Sequence, residues 1–154
     1  MGEIIPRPVP AGSWGLKQTL VFGGSNFSSV EARYADATAF DFRDSAAPDI
    51  AFYDSNLLYA YFLYATMPRA RFDLSDLRFA QFISSDLHDG GFGTADLSHA
   101  LFNGTDLQTT TFTGATLVNT LFVNSDLTGA IFGSTDLSQT IWVNTTCPDG
   151  TNSD

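Results

Sequence analysis

The sequence predicts an all-β chain wound as a four-sided parallel β-helix, and three observations carry that expectation. Large apolar residues recur every five positions without a skipped step from Phe52 to Trp142. A small residue stands two places before each of them from Leu57 onward. The large residues alternate between aromatic and aliphatic, so the chemical repeat is twice the spatial one.

The first lattice reads Phe52, Leu57, Phe62, Met67, Phe72, Leu77, Phe82, Leu87, Phe92, Leu97, Phe102, Leu107, Phe112, Leu117, Phe122, Leu127, Phe132, Leu137 and Trp142, and these are the predicted core. Its phase continues more loosely backward through Ala47, Phe42, Ala37, Ala32, Phe27 and Phe22. The second lattice holds Ser, Thr, Ala or Gly, from Ser55 through Gly90 to Thr140. A period of five fits neither an amphipathic helix nor an alternating strand. It fits a chain that makes one short extended side and one corner every five residues. Large and small lattice residues, two apart, then face the same way.

The alternation sets the number of sides. Three sides per coil would mix Phe with Leu in every column. Four sides stack residues twenty apart and leave each column pure. Phe52, Phe72, Phe92, Phe112 and Phe132 form one ladder, and Phe62, Phe82, Phe102, Phe122 and Trp142 the opposite one. Each layer then holds two aromatic and two aliphatic residues, which keeps the core volume constant along the axis. Residues 22–147 make about six coils of four such units, each adding ~4.8 Å. Where the early columns carry Ala32, Ala37 and Ala47, Phe40 and Ile50 are expected to refill the space.

The chain has 154 residues, 44% apolar and 16% charged, with a formal net charge of −10. That length suits one domain with a real core. No apolar run approaches the ~20 residues of a spanning helix, so a soluble chain is expected. Met1–Pro6 lacks a basic stretch followed by an apolar core, so no signal peptide is expected. All basic residues precede position 79, and only acidic charge follows Arg78. An acidic half of this kind argues against direct nucleic-acid binding and against an anionic membrane.

Ser75-Asp76-Leu77, Ala95-Asp96-Leu97, Thr105-Asp106-Leu107 and Ser125-Asp126-Leu127 follow the pattern Ala-(Asp/Asn)-Leu-X-X. In these stretches the chain resembles the pentapeptide-repeat family, over residues 22–147. The resemblance implies a right-handed quadrilateral β-helix, the hand being its contribution. It also implies one candidate role, since some family members bind DNA gyrase by imitating the charge and shape of a duplex. This sequence lacks the C-terminal dimerising helix and the outward loop insertions that such members tend to carry.

Residues 1–21 read as an N-terminal proline-rich arm and cap. Pro6, Pro8 and Pro10 force an extended segment, and Gly12 and Trp14 follow it. Residues 148–154 form a C-terminal tail. Cys147 falls on the five-residue lattice and reads as the last inward residue, and a single cysteine allows no internal disulfide. The tail from Cys147 to Ser153 resembles the closing segment of exported bacterial pentapeptide-repeat proteins, which implies export, with a cytoplasmic location as the alternative.

No catalytic residue and no cofactor is expected. His88 and His99 fall on outward positions of opposite Leu sides, and His88-Asp89 reads as a solvated turn. No metal is expected either. Asp76, Asp96 and Asp136 share one side and Asp86, Asp106 and Asp126 the opposite one, each read as an acceptor for corner backbone donors. Asn26-Phe27-Ser28, Asn103-Gly104-Thr105 and Asn144-Thr145-Thr146 match the glycosylation acceptor pattern, as an Asn/Thr-rich repeat does by accident.

The informative feature is an apolar outer wall on the side of Phe62, Phe82, Phe102, Phe122 and Trp142. One outward column reads Tyr61, Gln81, Leu101, Leu121, Ile141, and the next reads Leu63, Ile83, Asn103, Val123, Val143. Tyr64, with Leu58, Tyr59 and Phe79 around the corner, widens it. The opposite wall reads as Gly and Thr. A contiguous one-sided stripe marks an interface more often than scattered apolar residues do. The expected partner-binding residues are Tyr61, Leu63, Tyr64, Ile83, Leu101, Leu121, Val123, Ile141 and Val143, and the expected partner is a protein, foremost a second copy in a homodimer. Coverage of the stripe by the N-terminal arm is the competing reading.

Overall fold

The computed structural model describes residues 28–153, and among these it contains parallel β-structure and turns but no helix. The proposed arm at 1–21, together with Phe22, Phe27 and Asp154, lies outside the described residues. Five short strands make one parallel sheet in chain order: β1 (Tyr61–Leu63), β2 (Gln81–Ile83), β3 (Leu101–Asn103), β4 (Leu121–Val123) and β5 (Ile141–Val143). Phe62 pairs with Phe82, Phe82 with Phe102, Phe102 with Phe122 and Phe122 with Trp142. The other three sides carry the same twenty-residue offset in single parallel bridges, such as Asp36 to Asn56, Ala46 to Thr66 and Ala51 to Arg71. Four columns per coil make the solenoid four-sided.

The bridges run from Glu31 to Thr146, but the regular sheet covers only the four turns between β1 and β5. The count of about six coils therefore describes the lattice more than the sheet. A corner every five residues leaves most sides too short to register as strands.

From Ser29 to Gly129 each corner places the second residue after an inward lattice residue in the left-handed region. Tyr59 (φ 60°), Phe79 (φ 59°) and His99 (φ 62°) occupy such positions, as do Gly104, Gly114 and Gly129. For a residue with a Cβ this conformation costs on the order of 1–2 kcal/mol. The coil offsets that cost locally. The Tyr59 N–H donates to the Arg78 carbonyl (3.1 Å), and the Ala60 N–H closes the turn on the Leu57 carbonyl (3.0 Å).

Hydroxyls on the small lattice have a second role. Thr105 Oγ1 donates to the Phe82 carbonyl (2.8 Å), Thr120 Oγ1 to that of Leu97 (2.8 Å) and Thr145 Oγ1 to that of Phe122 (2.9 Å). Ser85 makes the same bond to Phe62. Each ties a corner to the coil below, and a small residue fits where a larger one would enter the core. Among the described residues no buried side-chain polar atom lacks a partner.

The core is two aromatic stacks facing each other edge to face. Phe62 and Phe82 stack with centroids 4.5 Å apart, and Phe92 and Phe112 at 5.1 Å. Phe92 meets Phe102 across the axis at 5.8 Å and 87°. Both arrangements suit the ring quadrupole. From Phe52 to Leu127 every predicted core residue is buried. Ile50 is also buried, and Phe40 packs against the core.

The last coil departs from the expectation. Phe132 and Trp142 are only partly buried, and Leu137 is 37% exposed. With Cys147 and Pro148 they ring an apolar hollow, because no further coil among the described residues lies on them. The tail turns back instead of extending the stack. Cys147 N–H donates to the Thr151 carbonyl (2.7 Å), Ser153 N–H to that of Thr145 (2.9 Å), and Thr146 pairs antiparallel with Asn152.

Candidate functional site

The sheet β1–β5 coincides with the wall singled out from the sequence. Its outward columns are Tyr61, Gln81, Leu101, Leu121, Ile141 and Leu63, Ile83, Asn103, Val123, Val143, in register at every step. None of these ten side chains carries a charge. Tyr61 is 44% exposed, and Ile141 and Val143 45% each. Leu63, Ile83, Leu101, Leu121 and Val123 are half-buried by their ladder neighbours. Tyr64 stands at the corner after β1 (φ 55°) and is exposed.

Around the other corner runs an aromatic ladder on the outside of the solenoid. Tyr59 stacks on Phe79 at 5.0 Å, and Phe79 on His99 at 4.8 Å. Sequence reading placed Tyr59 and Phe79 near the wall but did not foresee that His99 continues their stack. The signal was available, since the three residues are twenty apart. At its N-terminal end the wall stops at the Asp41–Arg43 ion pair, where Asp41 is buried. A shallow groove there is lined by both residues and by Tyr61, Leu63, Gln81 and Ile83. Arg43 holds the Asp41 carboxyl below its ordinary range through their hydrogen bonds.

The opposite wall is less bare than the sequence suggested. Ile131 is exposed in it. Arg71 lies across Gly91 and pairs with Asp73 (2.8 Å).

The Asp columns act as turn acceptors. Oδ1 of Asp76, Asp86, Asp96, Asp106, Asp126 and Asp136 each accepts the backbone N–H two residues on, at 2.9–3.3 Å. Arg78 holds Asp76 below the usual carboxylate range, and the Ser138 backbone N–H does the same for Asp136. His88 pairs with Asp86, not primarily with its sequence neighbour. Its Nδ1 lies 2.6 Å from Asp86 Oδ1, while Nε2 is 4.0 Å from Asp89. The hydrogen bond to Asp86 raises the imidazole above its ordinary range, helped by the charges of Asp86, Asp106 and Asp89. His99 takes no part in this cluster, and it stacks on Phe79. The two acceptor-pattern sites that lie among the described residues include Thr105 and Thr145, both buried.

The family model for pentapeptide repeats matches residues 94–129 and 110–141. No curated protein sequence matches the chain. Among solved structures, a pentapeptide repeat protein from the Arabidopsis thaliana thylakoid lumen is similar at 24% identity and TM-score 0.61, over 63% of this chain and 68% of that one. Rfr23 of the cyanobacterium Cyanothece 51142 is similar at 18% identity and TM-score 0.57, over 77% of this chain and 88% of that one. Full-length QnrB1, a plasmid-mediated fluoroquinolone resistance protein, is similar at 16% identity and TM-score 0.57, over 80% of this chain and 75% of that one. At these identities the structures speak for the fold alone, and the repeat match marks residues 94–141 of that fold as pentapeptide repeats.

Proposed function

We propose that this chain is a non-catalytic binding module that docks protein on the β1–β5 wall, and that the first occupant of that wall is a second copy of the chain. One observation carries the reading: a ten-residue sheet face without charge on a molecule of net charge −10. Two such molecules repel over most of their surface, and this wall is where they meet without opposing charges. A two-fold contact buries the same patch on both copies and closes the assembly. Five layers of wall, ~19 Å tall, give a modest contact, near the low end of specific interfaces.

Sedimentation at several concentrations tests the idea. The wild type should dimerise, and Leu121→Arg should give a folded monomer, because it buries an unpaired charge mid-contact. A wild type that remains monomeric at high concentration overturns self-association.

A second reading has its own support. After Arg78 the described residues carry seven Asp and no cation, and the chain is similar in fold to a fluoroquinolone resistance protein. On this reading the acidic coils imitate duplex charge toward a DNA-binding enzyme such as DNA gyrase. Its test is inhibition of gyrase supercoiling by the purified chain, and no effect at micromolar protein would exclude it.

A further inference from the structure

We propose that Asp86, His88 and Asp106 form a binding site for a divalent transition-metal ion of the zinc class. The three side chains come from two neighbouring coils, where Asp86 and Asp106 are bridge partners. One ligand atom from each lies within 4.8 Å of the others, and all three residues are half-buried. Two donors on one zinc ion stand at most ~4.2 Å apart, twice a bond of ~2.1 Å. A small rotamer adjustment therefore brings the set into bonding range.

The scaffold orients the carboxylates in advance. Asp86 Oδ1 accepts the His88 backbone N–H (3.3 Å), and Asp106 Oδ1 accepts that of Gln108 (3.0 Å). An imidazole beside two carboxylates suits Zn²⁺, Co²⁺ or Ni²⁺, whereas Ca²⁺ and Mg²⁺ prefer oxygen alone.

The charge balance at this corner is a separate argument. In the N-terminal coils Asp41, Asp49, Asp73 and Asp76 each pair with an arginine. Asp86, Asp89 and Asp106 have no such partner among the described residues, and no Arg or Lys follows Arg78 in the sequence. Carboxylates one strand spacing apart repel in this environment. His88 stands among them, with its Nδ1 2.6 Å from Asp86 Oδ1. The expectation of no metal treated the Asp columns as turn acceptors only, because the lattice does not show that the imidazole lies alongside them.

Calorimetric titration of the chelator-treated full chain with Zn²⁺ alone at pH 7.5 is the test. One equivalent should bind and raise the melting temperature, and Ca²⁺ at the same concentration should not. His88→Ala and Asp106→Asn should each weaken Zn²⁺ binding at least ~10-fold, while Cys147→Ser and His99→Ala should leave it unchanged. The His88 imidazole resonances should shift with the same stoichiometry. Failure of the wild type to bind one equivalent overturns the proposal, and so does binding that survives His88→Ala or disappears in Cys147→Ser.

Discussion

Arg71 lies directly over Gly91: a methyl group on that glycine would stand 2.5 Å from the Arg71 Nε. The guanidinium is held there by Asp73, whose Oδ1 also accepts the Gly93 N–H (3.1 Å). Gly91 thus makes room for a side chain one coil away, and its own φ lies outside the left-handed region. Gly91→Ala should destabilise by on the order of 1 kcal/mol, and the cost should shrink in an Arg71→Ala background. Urea unfolding of the four members of that cycle measures the coupling. Equal costs in both backgrounds would remove Arg71 as the reason for the glycine.

Phe102 stacks on Phe82 at 4.7 Å and on Phe122 at 4.9 Å, so its loss opens a cavity that a rigid coil cannot close. Phe102→Ala should cost about 3–5 kcal/mol, and the adjacent outward Asn103→Ala less than ~0.5. Leu137→Ala should cost clearly less than Leu97→Ala, because Leu137 is part-exposed on the last coil and Leu97 is buried. Chemical denaturation ranks all four. Equal shifts for Phe102 and Asn103 would mean that the inward and outward phases are misassigned.

Thr105→Val isolates one corner hydroxyl. The shape is kept, but the bond to the Phe82 carbonyl is lost in a buried setting, and a cost of about 1–2 kcal/mol follows. A neutral substitution would show that the carbonyl finds another donor.

The stability profile against pH should fall on both sides for different groups. Asp41, Asp49, Asp76, Asp136 and Asp149 are held below their ordinary value by hydrogen bonds from Arg43, Arg69, Arg78, Ser138 and Thr151. Their contribution is present above the unfolded value, near pH ~4, and is lost as pH falls through the folded ones. His88 runs the other way. Its folded value is raised, so its contribution is full below pH ~6.5 and is lost as pH rises through the folded value. Thermal melts in chelator from pH 3 to pH 9 should show both slopes, and His88→Gln should abolish only the alkaline one. An unchanged alkaline slope in that variant would assign it to another group.

The sequence by itself determined the period, the number of sides and the inward phase. All three follow from local repetition: a residue every five places must face the axis, and the Phe/Leu alternation is consistent only when residues twenty apart stack. The uncharged wall was legible for the same reason, since Tyr61, Leu101, Leu121 and Ile141 share one phase. Tertiary structure decided what depends on neighbouring coils. Only stacking shows that Phe92 meets Phe102 edge to face, that His99 extends the Tyr59–Phe79 ladder, and that His88 pairs with Asp86 at a corner it shares with Asp106. It also exposes Leu137, whose lattice position is the same as that of buried Leu97. A lattice position fixes which way a residue faces. What it touches is fixed by the coils above and below, which lie twenty residues away and differ most in their outward side chains.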